Sequence, residues 1–452
     1  MLPTLHDTAT ALQQGRLSAV ELTETALARA ADPAGEGARV FTRIYAEQAR
    51  AAAQASDTLR AAGLSRSPID GLPISIKDLF DVAGETTLAG SVALQGAPAA
   101  EEHAVVVQRL LAAGAVIIGR TNMVEFAYSG LGINPHYGTP LNPWDRASGR
   151  IPGGSSSGAG VSVADGMALG AIGSDTGGSV RIPAALCGLA GFKPSAWRVS
   201  MAGVLPLSAN LDSIGPLAPT VRCCATLDAI LAGDDIDSVS PSWQPAAVRG
   251  LRLAVPTTLA LDGMDASVSA AFSAAISRLS AAGALVDEIE IPEFAQLAAI
   301  NAKGGFTAAE AWAWHRNLIA TAGDRYDPRV VSRIRRGESM SAADYLDLLD
   351  AREAWVAAVD HRIAGYDALI MPTVPITAPT IAEVTASDEV YYATNGLILR
   401  NPTLINFLDG CAVSVPCHAA NTAPVGLMIA GSNGADARVL SIGMAIEDLL
   451  RA

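Results

Sequence analysis

The sequence is poor in the residues from which many catalytic sites are assembled. Its six histidines, His6, His103, His136, His315, His361 and His418, stand in unrelated contexts and open no HExxH pair or zinc spacing. No metal site is expected, and each reads as an ordinary surface or core histidine. The five cysteines, Cys187, Cys223, Cys224, Cys411 and Cys417, are odd in number and include no CxxC pair. Reduced, buried thiols in a cytoplasmic protein are the expectation. There is no GxxxxGK[ST] stretch, Gly158-Ala159-Gly160 is not completed to GxGxxG, and no GxSxG elbow occurs. A phosphate-binding loop is excluded, and a dinucleotide site gains little support. No cofactor is expected.

Positive charge is also scarce. Lysine and arginine number 31 against 45 aspartates and glutamates, a net charge of −14, so a basic face for direct nucleic-acid binding is not expected. Long apolar runs are missing. A membrane span needs about 18 apolar residues, and the stretch 104–118 is broken by Gln108 and Arg109. The opening residues, MLPTLHDTATALQQGR, show no basic start followed by an apolar block, so neither a signal peptide nor a membrane partner is expected.

What is present is a core. Half of the residues are apolar and only 17% are charged, which suits a globular chain. Residues 5–31 read as two short helices, the second opened by a Ser18–Glu21 capping box, and residues 43–62 as a longer helix. Gly71 to Asp78 alternates isoleucine with small or polar residues, a strand pattern that puts Lys77 opposite Ile74 and Ile76 at its end. Helix, glycine and strand follow in 103–119, and RLLAAGA at 109–115 returns as RLSAAGA at 278–284 before another strand-like run. Residues 120–150 read as loop and 232–249 as a connector. Strands are expected at 251–255, 368–372, 411–416 and 425–430, with mostly helix over 307–364 and a closing helix at 435–451. This alternation argues for the α/β class.

Between Ile151 and Pro194 lie two small-residue clusters, Gly153-Gly154-Ser155-Ser156-Ser157-Gly158 and Gly173-Ser174-Asp175-Thr176-Gly177-Gly178-Ser179. Without Cβ atoms, backbone N–H groups can crowd around a small anion. The pattern predicts a helix over 157–165, a strand over 167–172 and a helix over 179–190. Ser179 would then stand at a glycine turn before a helix, with the N–H groups of Thr176, Gly177, Gly178 and Ser179 able to converge on a carbonyl oxygen. Each such donor is worth about 3–4 kcal/mol where it has been removed. An N-cap serine is the plain alternative for Ser179, and an ordinary Asx-turn for Asp175. A serine nucleophile needs a base, and a lysine serves if burial lowers its pKa. Lys77 is the candidate, unless it pairs with Asp78 at the surface.

Taken together, GGSSSG, GSDTGGSVRIP, Cys187-Gly188 and Lys193-Pro194 resemble the amidase signature family. Ser155 and Ser179 lie 24 residues apart, and Lys77, in Gly-Leu-Pro-Ile-Ser-Ile-Lys-Asp, lies 78 residues before Ser155, as in that family. The resemblance extends to Arg120–Phe126, Asp212–Pro216, Met371–Thr373 and Pro424–Leu427. One departure is GGSSSGAG, where many members have GGSSGG. The resemblance implies one large domain over 1–452, with a signature core at about 65–220 and a variable pocket region at about 235–400. It implies a mixed, largely buried sheet covered by helices on both faces. It implies Lys77 as base, Ser155 as a bridging serine after a cis peptide, and Ser179 as nucleophile, with Thr176, Gly177 and Gly178 forming the oxyanion hole. Ser156, Asp175 and Arg181 would support the site, Arg181 by pairing with a carboxylate or by meeting an anionic substrate. Met123, Tyr128 and Ser129 fall in a segment that lines the pocket in relatives, with Phe126 and Leu131 beside them; core packing is an equal reading for Met123 and Phe126. Phe306, Trp312 and Trp314 come from the variable half. The implied activity is hydrolysis of a small carboxamide through an acyl-enzyme, by a protein free to form a homodimer. The family also holds biuret-type hydrolases and glutamine-hydrolysing A subunits of tRNA-dependent amidotransferases, and the latter would need a partner subunit.

Overall fold

Eleven strands form one sheet through the middle of the chain. The structure, a computed structural model, describes residues 2–235 and 243–451. The strands are β1 (Phe41–Ile44), β2 (Pro73–Lys77), β3 (Val116–Thr121), β4 (Gly170–Asp175), β5 (Ala190–Lys193), β6 (Ser213–Ala218), β7 (Arg252–Pro256), β8 (Leu285–Ile289), β9 (Ala368–Pro372), β10 (Cys411–Pro416) and β11 (Gly426–Gly431). Their order across the sheet is β1-β3-β2-β4-β6-β5-β10-β11-β9-β7-β8. β2 runs parallel to β3 and β4, and β7 parallel to β8 and β9, while β10 is antiparallel to β5 and β11. The sheet is therefore mixed, in an α/β fold, as expected.

Successive strand residues point to opposite faces, and the apolar clusters follow that rule. On one face, Ile74 and Ile76 of β2, Ile370 of β9 and Ile429 of β11 share one long cluster with Leu110, Leu227, Leu279 and Ile442 from covering helices. The other face carries two clusters. One joins Val116, Ile118 and Ala171 to the helices Ala19–Ala31, Ala46–Ala61 and Ser157–Ala164. The second joins Leu369, Met371 and Met428 to Phe294, Phe306, Trp355 and Phe407. Burial on both faces is why the central strands read as near-continuous apolar runs.

Local expectations hold where a specific signal exists. Ser18 caps the helix Ala19–Ala31 and forms the full capping box with Glu21. Gly114 and Gly283, at matching places in the two repeated segments, both adopt positive φ (86° and 95°) between a helix and a strand. The five cysteines are free and four are buried. Two expectations shift, and one strand has no counterpart among them. The strand expected at 167–172 is Gly170–Asp175. The helix expected at 179–190 is only Arg181–Cys187, because Gly188 takes the left-handed cap and the chain continues into β5. The glycine and proline of Ser-Ile-Gly-Pro-Leu-Ala hide β6, in which a Cβ on Gly215 would lie 2.0 Å from the Phe192 carbonyl oxygen of β5. The connector expected at 232–249 falls in part on residues 236–242, outside the described residues. The helix Asp388–Phe407, with Pro402 inside it, has no counterpart in the sequence reading.

Candidate active site

Lys77 ends a strand whose five residues are all buried, and it is itself fully buried. Its Nζ donates to Ser155 Oγ at 2.7 Å and to Ser174 Oγ at 2.8 Å. Burial pushes the ammonium down to about 7, and the attraction of Asp175 and Asp212 only partly offsets it. The surface pairing with Asp78 does not form. Asp78 faces Arg120 Nε at 2.7 Å, both side chains being buried.

The first glycine–serine cluster brings one of its three serines to that lysine. The Gly154–Ser155 peptide is cis, and the Ser155 carbonyl accepts from Val124 N–H at 3.0 Å. Ser156 turns away: its Oγ donates to the Ser174 carbonyl at 3.3 Å, while its N–H donates to the Ser179 carbonyl at 3.3 Å. Ser157 opens the helix Ser157–Ala164 and its Oγ donates to the Asn122 carbonyl at 3.4 Å. Ser156 thus ties the two clusters together.

In the second cluster, Asp175 at the end of β4 organises the turn. Its Oδ1 accepts from Gly178 N–H at 2.8 Å and its Oδ2 from Val180 N–H at 3.1 Å. Asn406 Nδ2 reaches Oδ1 at 2.9 Å. Arg181 is fully buried and forks onto the same carboxylate, with Nη2 at 2.8 Å from Oδ1 and Nε at 3.0 Å from Oδ2. Of the two roles open to Arg181, the structure makes it the partner of Asp175, and it does not line the cavity described below. The Gly178 amide differs from expectation: its N–H already donates to Asp175 Oδ1. The amides of Thr176, Gly177 and Ser179 have no acceptor among the described residues. Gly178 itself is required by close approach, since its φ is 123° and a Cβ would meet Ile182 and Pro402 atoms at 2.6 Å.

Ser179, Thr176 and Gly177 border a cavity of about 580 Å³. Tyr128 and Ser129 line it, and Ser129 Oγ donates to Asn395 Oδ1 at 2.8 Å. Met123 does not. It is buried in the core behind the loop, where its carbonyl accepts from Asn134 Nδ2 at 2.7 Å. Phe126 is likewise core, with its ring centroid 4.4 Å from that of His315. Phe306 lines the cavity; Trp312 packs on the core and Trp314 is part-exposed. Two groups were not assigned from sequence. Ser174, one residue before Asp175, shares the Lys77 Nζ. Asp212, in a segment matched only as a string, accepts from Thr176 Oγ1 at 2.5 Å and from the N–H groups of Leu207 and Ser208 at 2.9 and 3.0 Å. Burial raises its carboxyl to about 6 against those bonds. Nothing local in the sequence marks this contact, which spans 36 residues.

Comparison with known proteins places the chain in a family. The family model described as Amidase matches residues 21–440. A 2-amino-5-chloromuconic acid deaminase of Comamonas testosteroni is 38% identical over 99% of this chain and 96% of its own. The A subunit of the glutamyl-tRNA(Gln) amidotransferase of Chloroflexus aggregans is 36% identical over 97% of this chain and 94% of its own. Among solved structures, an amidase superposes with a TM-score of 0.87 at 32% identity, covering 99% of both chains. With matches of this extent to sequence and fold alike, the chain belongs to the amidase signature family of hydrolases that act on amide C–N bonds.

Proposed function

We propose that this protein hydrolyses a small-molecule carboxamide through an acyl-enzyme on Ser179, with Ser155 and Lys77 relaying the proton. Neutral Lys77 takes the proton of Ser155 as Ser155 takes that of Ser179. Ser179 Oγ adds to the amide carbonyl, and the oxyanion is received by the free amides of the 176–179 turn. The C–N bond breaks, the relay returns the proton to the departing nitrogen, and an ester on Ser179 remains. Water adds to that ester, giving its proton to the relay, and the acid leaves as Ser179 regains a hydrogen.

One observation carries the reading: a fully buried lysine whose Nζ contacts two serine hydroxyls and no carboxylate among the described residues. Such a lysine is a usable base near neutral pH. Wild-type kcat/KM on an amide is expected to fall about tenfold per pH unit below an inflection near 7, as Lys77 gains its proton. Lys77→Ala should lose about 10²- to 10⁴-fold and flatten that limb. A wild-type rate that stays level from pH 7 to mildly acid pH, with chemistry rate-limiting, would count against a lysine base.

The amidotransferase relative favours a second reading, a glutamine-hydrolysing chain that needs a partner. Amide turnover by the purified chain alone supports the first reading; turnover of glutamine only on adding a partner protein supports the second.

A further inference from the structure

The charge lining the cavity is one-sided. Arg333, Arg336 and Arg400 contribute to its wall, and no aspartate or glutamate does among the described residues. The chain carries 45 acidic residues against 31 basic ones, so this lining runs against composition. Of the neighbouring carboxylates, Asp262 attracts Arg400 from outside the wall, and others are paired elsewhere. Asp388 pairs with Arg329 at 2.8 Å and Glu338 with Arg335 at 4.0 Å. Among the described residues, Arg400 hydrogen-bonds to neutral oxygens alone, Asn401 Oδ1 at 3.0 Å and the Ala260 carbonyl at 3.2 Å. Arg336 is exposed.

Arg333 is the most constrained of the three. It closes the helix Pro328–Ile334, where its Nε donates to the Arg329 carbonyl at 2.9 Å. Its guanidinium lies over the rings of Tyr128 and Tyr392, 4.9 and 5.8 Å from their centroids. Its Nη2 is buried with no hydrogen-bond partner, and among the described residues no other side chain lining this cavity has such an orphan. A buried guanidinium N–H without an acceptor needs an explanation.

We propose that the cavity takes an amide bearing a carboxylate and no ammonium group, an amidic acid, whose carboxylate is received by Arg333 with Arg336 or Arg400 beside it. This rests on the hydrolase reading above. Guanidinium is the side chain best matched to a carboxylate, and Arg333, lining the cavity and held over two tyrosine rings, is placed to receive one. An amino-acid amide such as glutamine would bring its ammonium to a wall with three guanidiniums and no carboxylate, which selects against it. Phe294, Phe306 and Phe407 give the same cavity apolar wall for a hydrocarbon spacer.

The test uses the intact protein and monoamides of straight-chain dicarboxylic acids of increasing length. Each is paired with the uncharged amide that ends in a methyl group, and glutamine is compared with its analogue lacking the amine. At the best length the acid should exceed its uncharged partner in kcat/KM by about 10- to 100-fold, and the des-amino acid should exceed glutamine. Arg333→Met should bring the acid-to-uncharged ratio towards one, chiefly through KM, and Arg333→Lys should recover part of it. Equal use of acid and uncharged amides at every length, preference for glutamine, or a ratio unmoved by Arg333→Met would overturn the proposal. The wild-type ratio needs no variant, so a poorly folded Arg333→Met does not shield the idea. The two readings fail separately. Acylation of Ser179 by uncharged amides as fast as by acids sinks only the charge preference, whereas turnover without any Ser179 acylation sinks the hydrolase mechanism.

Discussion

Ser179→Ala is expected to lower amide turnover by about 10⁴- to 10⁶-fold, the loss seen when a serine hydrolase is stripped of its nucleophile. The fold should survive. The backbone link from Ser156 N–H to the Ser179 carbonyl does not involve the side chain, and no side-chain hydrogen bond of Ser179 exists among the described residues. The unfolding midpoint should therefore move by no more than about 0.5 kcal/mol in equivalent stability. The informative measurement is the mass of the peptide holding residue 179 after quenching with a slow amide or ester. Wild type should carry the acyl group there, and the variant should carry none. A labelled acyl group on another residue of Ser179→Ala, or turnover within tenfold of wild type, would remove Ser179 from the mechanism. The residual rate has its own use, since it measures what the turn amides and the cavity contribute without covalent chemistry.

Arg181→Ala should damage the fold as well as the site. Arg181 and Asp175 are both fully buried and bonded at 2.8 Å. Arg181 also reaches Asn406 Oδ1 at 2.6 Å and the Pro402 carbonyl at 3.1 Å, tying the nucleophile turn to the helix Asp388–Phe407. Removing one member of a buried pair leaves an uncompensated charge and costs about 3–5 kcal/mol. Burial alone would push the Asp175 carboxyl up. The Arg181 guanidinium, with help from Lys193 and Asn406, instead holds it well below the usual carboxylate range. A carboxyl lowered in the folded state contributes stability that is complete above its unfolded value, about 3.9, and is lost as pH falls through the folded one. Without Arg181 the balance reverses, and acid unfolding should begin at higher pH. Urea unfolding at neutral and mildly acid pH checks both parts. Arg181→Lys should restore little, because a point charge cannot replace the two-pronged contact. An Arg181→Ala protein with the wild-type midpoint and kcat/KM would show that the pair is dispensable.

Chemistry that depends on local backbone was legible in the residue order. The two glycine–serine clusters, the 24-residue interval between Ser155 and Ser179 and the lysine after Ile-Ser-Ile named three groups through the resemblance they carry, and in the structure Lys77 Nζ bonds Ser155 Oγ while Ser156 N–H bonds the Ser179 carbonyl. Asp175 bonding its own turn is a contact within three to six residues, and short-range hydrogen bonding of this kind is what an Asp before two glycines announces. The Ser18 capping box and the helix–glycine–strand connections at Gly114 and Gly283 were readable for the same reason: each is closed within one turn of chain.

What the order of residues left open are contacts between distant segments. Whether Lys77 sits at the surface with Asp78 or inside with Ser155 depends on Arg120 of the neighbouring strand, 42 residues from Asp78, taking the carboxylate. Which of three consecutive serines meets the lysine depends on how the chain turns after Gly154. Gly178's amide is spent on Asp175, Met123 is core rather than cavity wall, and Asp212 and the arginines of residues 333–400 reach the site from far along the chain. Apolar pattern and glycine placement specify elements and turns, because their energetics are local. Desolvation of Lys77, the pairing of buried charges and the composition of the cavity wall are set by which elements pack together, and only the tertiary structure decides that.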